Sequence, residues 1–204
     1  FTLMKFFPSS ETTSFCYASN RKFRLLIVGG SLGAKKLNEI AIAAINGFDE
    51  EICKNKLEVW HQCGSEHTDA VLGAYRDLDQ KNVHVFPFIK DMARAYAWAD
   101  LVLCRAGALT VSELAIMGRP ALLVPLPNAI DNHQRINGNF LAECGAAKVL
   151  NQDELSNLEL RNLLLCLMDS PTVLKKMAES ASSVAKPFAT HDICALCMEY
   201  IDRG

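Results

Sequence analysis

The apolar run Leu101-Val102-Leu103-Cys104 leads directly into Arg105-Ala106-Gly107-Ala108-Leu109-Thr110-Val111-Ser112-Glu113-Leu114-Ala115-Ile116-Met117-Gly118, which leads directly into Arg119-Pro120-Ala121-Leu122-Leu123-Val124-Pro125. This order spells strand, glycine-containing turn, helix, glycine stop, strand. Two strands joined through a helix lie side by side in parallel, by a right-handed crossover. A parallel sheet needs helices on its faces, and its strands read as unbroken apolar runs, as these two do. The segment therefore restricts the chain to an α/β layer fold.

The rest of the chain repeats the pattern. Strands are expected near 24–29, 57–62, 83–86, 100–104, 120–124 and 146–150. Helices are expected near 34–46, 66–79, 91–98, 109–117, 133–143, 154–168 and 172–203, the last broken near Lys186-Pro187 because proline removes a donor and clashes with the preceding turn. The expected fold is α/β: a Rossmann-like, doubly wound, mainly parallel sheet over 23–204, with 1–22 as a tail or linker that shows no sustained periodicity. In such a fold the ligand lies at the carboxyl ends of the strands, which gathers the loops 29–34, 86–91 and 104–110, with 125–134 beside them.

Composition narrows the function classes. With 204 residues, 50% of them hydrophobic and 22% charged, the chain can bury a sizeable core. A net charge of −2 and scattered Lys and Arg give no general attraction to nucleic acid, so none is expected as a partner. The eight cysteines lie mostly inside apolar strand or helix patterns and are read as reduced, as in a cytoplasm. Cys194 and Cys197 form a C-x-x-C late in a helical pattern, read as a buried helix face rather than a metal or redox pair; no metal site is expected. No segment offers the 18 or more apolar residues of a membrane span.

Two helix starts stand out at adjacent strand ends. Gly29-Gly30-Ser31-Leu32-Gly33-Ala34 follows the first strand, where glycines allow close approach to a diphosphate and the Ser31 hydroxyl can donate to it; close packing of strand on helix is the plainer alternative. It is neither the G-x-G-x-x-G fingerprint nor a Walker loop. At 105–113, Gly107 and Thr110 mark the helix start and Glu113 lies one turn inside. The unpaired first N–H groups and the dipole favour a phosphate, and the Glu113 carboxylate can accept from the vicinal hydroxyls of a ribose. The plainer alternative is a solvated carboxylate with Thr110 and Ser112 as caps. Together the two starts indicate a nucleotide.

Further candidates flank them. Pro125-Leu126-Pro127-Asn128-Ala129-Ile130-Asp131-Asn132-His133-Gln134, with Asn137 one turn on, carries amides suited to sugar hydroxyls, or an N-cap with surface residues. His133 is read as positioning or structural rather than as a general base. Ile89, in Phe86-Pro87-Phe88-Ile89-Lys90, offers backbone groups to a base edge, or ordinary strand-end packing. His61 is read as a satisfied, half-buried histidine, and Tyr96 to Asp100 as core.

The motifs Gly-Gly-Ser-Leu-Gly-Ala at 29–34, Val-Trp-His-Gln-Cys-Gly at 59–64, Phe-Ile-Lys-Asp-Met at 88–92, Ala-Trp-Ala-Asp-Leu-Val-Leu-Cys-Arg-Ala-Gly-Ala-Leu-Thr-Val-Ser-Glu at 97–113, Asp-Asn-His-Gln at 131–134 and Cys-Gly-Ala-Ala at 144–147 resemble the MurG family in order and spacing, over about residues 23 to 200. The resemblance implies one half of a GT-B glycosyltransferase, the carboxyl-terminal domain that binds UDP-N-acetylglucosamine. It implies inverting transfer of N-acetylglucosamine to lipid I, giving lipid II for peptidoglycan, on the cytoplasmic face of the inner membrane, with no cofactor. Carried over by position, Ser31 meets the diphosphate, the Ile89 backbone the uracil, Ala108, Leu109, Thr110, Val111, Ser112 and Glu113 the phosphates and ribose, and Gln134 the sugar; Gly30, Gly33, Gly107, His133 and Asn137 stand beside them. The pattern departs at His133, where some members have glutamine. The family's general base, acceptor loops and membrane patch belong to an amino-terminal domain without counterpart in 1–22, so no catalytic residue is expected here and the chain by itself is expected to be inactive. A UDP-sugar-binding module, or a subunit needing a partner chain, is the alternative.

Overall fold

The structure, a computed structural model, describes residues 21–30, 34–76, 78, 81–127 and 132–202. Six parallel strands, β1 (Phe23–Val28), β2 (Leu57–Gln62), β3 (Val83–Phe86), β4 (Leu101–Cys104), β5 (Ala121–Leu123) and β6 (Ala147–Val149), form one sheet in the order β3-β2-β1-β4-β5-β6. The helices are α1 (Lys35–Asn46), α2 (Thr68–Ala74), α3 (Met92–Trp98), α4 (Ala108–Met117), α5 (His133–Glu143), α6 (Asn157–Met168), α7 (Pro171–Ser183) and α8 (Ala189–Asp202). The doubly wound expectation holds, with every strand near its expected place.

The central strands are buried on both faces, and the pleat sorts their side chains between two cores. Phe23, Leu25 and Ile27 of β1, with Leu101 and Leu103 of β4, face one core, which α1, α6 and part of α7 complete with Leu37, Ile45, Leu160 and Leu174. Leu26 and Val28 of β1, with Val102 and Cys104 of β4, face the other, covered by α3, α4 and α5 through Tyr96, Leu114 and Leu141. Each fully buried Leu or Ile contributes about 1.5–3 kcal/mol, so these alternating positions anchor the order of the sheet.

At the amino ends of the strands the buried Asp100 receives the Arg21 guanidinium at 2.6 and 2.7 Å and the Arg24 amide at 2.9 Å. The buried Arg119 donates to the Ala99 carbonyl at 3.2 Å. This cluster clamps the start of β1 against the start of β4, at the end of the sheet opposite the candidate loops.

Several helix bounds differ from expectation for local reasons. The helix expected over 66–79 is a 3-10 turn, Ser65–His67, followed by the short α2. Gly73 weakens its last turn, and Tyr75 leaves helical geometry to bury its ring beneath β2. The helix expected from 154 begins at Asn157, because Ser156 and Glu159 form a reciprocal capping box. A π-helical turn, Ile52–Lys56, feeds β2 and was not expected. Cys194 and Cys197 are exposed on α8 rather than on a buried face. Among the described residues no helix is long and apolar enough to cross a membrane.

Gly118 ends α4 in the left-handed region (φ +58°), where a Cβ would also collide with Ser182 Oγ, itself bonded to the Ala178 carbonyl at 3.1 Å. Gly118→Ala is therefore expected to destabilise the fold by about 1–2 kcal/mol or more, read as a lowered urea midpoint with an unchanged m-value. An unaltered midpoint would contradict this account.

Candidate functional site

The β1 register with its neighbours, Val28↔Gln62 on one side and Val28↔Cys104 on the other, brings three strand ends level. Gly29 N–H extends the ladder to the Gln62 carbonyl at 2.9 Å, and Val124 N–H does the same to Cys104 at 2.9 Å. The helices that follow β1 and β4 lie on opposite faces of the sheet, α1 on one core and α4 on the other. The crevice between them is the topological switch point.

Both helices open into this crevice without a side-chain cap. In α1 the first intrahelical bond runs from Asn38 N–H to Ala34 at 2.9 Å, and in α4 from Val111 N–H to Gly107 at 2.9 Å. The amides of Lys35, Lys36 and Leu37, and of Ala108, Leu109 and Thr110, thus have no intrahelical acceptor. Neither helix has an acidic residue in its first turn. By contrast Asp91 caps α3 and Ser156 caps α6. Thr110 and Ser112 do not cap: Ser112 Oγ donates back to the Ala108 carbonyl at 3.0 Å.

The glycine turn rests on a buried polar chain. Asn38 Nδ2 donates to the Cys63 carbonyl at 3.0 Å, so its Oδ1 accepts from His61 Nε2 at 3.1 Å. His61 Nδ1 then accepts the Tyr75 hydroxyl at 3.0 Å. His61 is fully buried, not half-buried, and burial pushes its pKa down to about 3, so the ring is neutral. A Cβ on Gly29 would meet Asn38 Oδ1 at 3.1 Å and the Gln62 carbonyl at 3.2 Å. Gly30 adopts φ +83° in open space, so its requirement is conformational. Ser31 and Gly33 lie outside the described residues, as do 128–131.

Glu113 is 6% exposed and not the solvated carboxylate of the plainer alternative. Helical side chains lean toward the helix start, so a residue in the second turn of α4 carries its carboxylate back toward the free amides. Its Oε2 accepts the hydroxyl of Tyr96, on α3, at 3.0 Å. Burial raises the Glu113 pKa and the Tyr96 bond opposes the rise.

The remaining candidates surround this pair. Ile89 is buried in the same core as Val28, Cys104 and Val111, which draws the β3–α3 loop over the strand ends, with Phe88 exposed beside it. Asn137 Nδ2 donates to the Ala106 carbonyl at 3.3 Å, and with Ala108 and Ser112 it lines a groove of about 330 Å³ between α4 and α5. Gln134 Oε1 accepts from Leu126 N–H at 3.0 Å, tying α5 to the loop after β5. His133 is exposed in the first turn of α5, and Gly107 caps α4 with an ordinary φ of −65°.

Two contributors escaped sequence reasoning. Tyr96 looked like core alone, because nothing in the chain order links it to a carboxylate 17 residues on. Arg105 lies inside the motif but had no assigned part. Its guanidinium donates to the Val124 carbonyl at 2.9 Å, to the Pro125 carbonyl at 3.3 Å and to Gln152 Oε1 at 2.7 Å, holding the β4, β5 and β6 loops together. Among the described residues no group of His, Cys, Asp and Glu could hold a metal ion.

Comparison with known proteins agrees with this geometry. The model of the glycosyltransferase family 28 C-terminal domain matches residues 24–192. The chain is 48% identical over 181 residues, 89% of its own length and 50% of the relative's, to the UDP-N-acetylglucosamine–N-acetylmuramyl-(pentapeptide) pyrophosphoryl-undecaprenol N-acetylglucosamine transferase of Pseudomonas fluorescens. It is 48% identical over 184 residues to the protein of the same name from Azotobacter vinelandii, covering 90% of this chain and 50% of that one. The crystal structure of Acinetobacter baumannii MurG superimposes with a TM-score of 0.81 at 40% identity, over 95% of this chain and 57% of that one. The chain spans about half the length of the curated relatives it matches, and its sheet and crevice are those of one half of a GT-B glycosyltransferase. The chain belongs to the glycosyltransferase family 28 C-terminal domain family.

Proposed function

We propose that this chain is the donor-binding half of an inverting glycosyltransferase that moves N-acetylglucosamine from UDP-N-acetylglucosamine to lipid I, giving lipid II. The observation that carries the reading is the buried Glu113 carboxylate, held one turn behind the uncapped start of α4. The free amides of α1 and α4 donate to the diphosphate between them, and the Ser31 hydroxyl is assigned to the same diphosphate by its place in the motif. Glu113 accepts the ribose hydroxyls, the Ile89 backbone meets the uracil, and Gln134, with His133 and Asn137 nearby, faces the sugar. Developing negative charge on the departing UDP is stabilised by fixed N–H dipoles, a role that requires no cofactor. The relatives' names support the donor and the acceptor class, and the shared half-length supports the division of labour. The acceptor site and the base that deprotonates the acceptor hydroxyl belong to the other half of the enzyme, together with docking to the cytoplasmic membrane surface.

Calorimetry with UDP tests the site. Glu113→Ala is expected to weaken UDP by about 10- to 100-fold, the loss of charge-assisted bonds to two hydroxyls; unchanged affinity would defeat the ribose assignment. The chain alone, incubated with UDP-N-acetylglucosamine and lipid I, is expected to form no lipid II, and measurable product would overturn the division of labour.

The same carboxylate is held at a cost to stability. A carboxyl whose pKa is raised in the folded state binds its proton more tightly there than in the unfolded chain. The cost is therefore full above the folded pKa and absent below the ordinary value of 4.5. Unliganded Glu113→Gln is expected to unfold at an equal or higher urea concentration than the parent at pH 7, with any difference closing below that value. A clearly lower midpoint at pH 7 would refute this.

A further inference from the structure

Tyr96 is 1% exposed in the second core, and a phenylalanine would fill the same volume. Its hydroxyl instead donates at 3.0 Å to Oε2 of a carboxylate on a different helix. Among the described residues Glu113 Oε1 has no hydrogen-bond partner, and it is not one of the fully buried orphan atoms, so it is not sealed from solvent. An ionised carboxylate offers about four lone-pair sites. With one site on Oε2 taken, a lone pair of Oε2 and both of Oε1 remain for the ligand.

We propose that Tyr96 is a positioning residue that sets the plane of the Glu113 carboxylate so that both ribose hydroxyls are engaged at once, and that it thereby contributes to selectivity for nucleotides carrying a 2′,3′-diol. The proposal rests on the ribose reading of Glu113. A glutamate side chain turns freely about its terminal torsion, and two neighbouring hydroxyls can donate to two oxygens only in a narrow range of that angle. A donor fixed on α3 selects the angle before the ligand arrives, which reduces the ordering left to binding.

The electrostatics support this geometry. Burial, followed by the charges of Cys104 and Glu113, keeps the Tyr96 hydroxyl protonated and so a donor. Its bond favours the ionised carboxylate, against the effect of burial. The titratable groups facing Glu113 are Tyr96 from α3 and Cys104 from β4, with Arg105 beyond Cys104. Along the groove beside α4, Asn137 and Phe140 of α5 bring no charge, and Lys186, from the chain after α7, is the charged residue that lines it.

The test is calorimetry on the whole chain with UDP, 2′-deoxy-UDP and 3′-deoxy-UDP, for the parent, Tyr96→Phe, Glu113→Gln and the double variant, across the acid range. In Tyr96→Phe, UDP is expected to bind about tenfold more weakly, and preference for UDP over the deoxy analogues should shrink. The pH below which affinity falls should move upward, because the carboxylate loses the bond that favours its charge. In the Glu113→Gln background the same substitution should change affinity by less than about threefold. The ratio of affinities for UDP and its deoxy analogues at one pH does not depend on the fraction of protein folded, so a destabilised variant cannot mimic the change in selectivity. Glu113→Gln effective with Tyr96→Phe leaving ligand ratio and pH midpoint unchanged would overturn the proposal alone. An equal Tyr96→Phe loss with and without Glu113 would also overturn it, as a purely structural effect. Glu113→Gln without effect on UDP or on the deoxy ratio would remove the ribose reading, and the proposal with it.

Discussion

The pairing of β1 with β4 is the constraint on which the rest depends. Up to β3 the chain builds outward in one direction, β1 to β2 to β3, with α1 and α2 on one face; it then returns to the free side of β1 and builds the other way. Right-handed crossovers oblige the returning helices to cover the opposite face. Two helix starts therefore flank one crevice from opposite sides of the sheet, with their unpaired amides converging. The apolar interiors of β1 and β4 hold that register, and the Arg21–Asp100 pair clamps the same two strands at the far end.

Against these two apolar cores, the buried polar groups show where the molecule departs from packing alone. The Asn38–His61–Tyr75 chain is internally satisfied and its histidine neutral, so it supports the turn that Gly29 makes without serving as an acid or base. The Asp100 carboxylate likewise has both oxygens bonded, and it lies away from the crevice. Glu113 differs: one oxygen is held from within by Tyr96, and among the described residues the other has no hydrogen-bond partner. A buried carboxylate with about three of its four lone-pair sites unused is costly in a structural role, which favours the proposal of a ligand that supplies donors.

Much of the fold was legible because parallel strands and amphipathic helices differ in period and length. LLIV, LVLC and ALLV announce strands buried on both sides, and the Gly118 and Lys186-Pro187 breaks follow from backbone chemistry. The misses have local causes. Tyr75 ended α2 early for a partner on β2, and the Ser156–Glu159 capping box, readable as S-x-x-E, set the start of α6. The exposure of Cys194 and Cys197 was not legible, since a helical pattern does not state which neighbour covers it.

By itself the sequence determined that two glycine-containing helix starts stand at strand ends, that Glu113 lies one turn inside the second, and that the strands run parallel. These are consequences of residue type and spacing within a few turns of chain. Only the tertiary structure decided that Glu113 is buried rather than solvated, that Tyr96 from another helix holds one of its oxygens, that Arg105 ties three loops, and that His61 is wholly enclosed and neutral. Burial and hydrogen-bond partnership are set by residues far apart in the chain, and such contacts exist only once the crossovers have brought the strands and helices together.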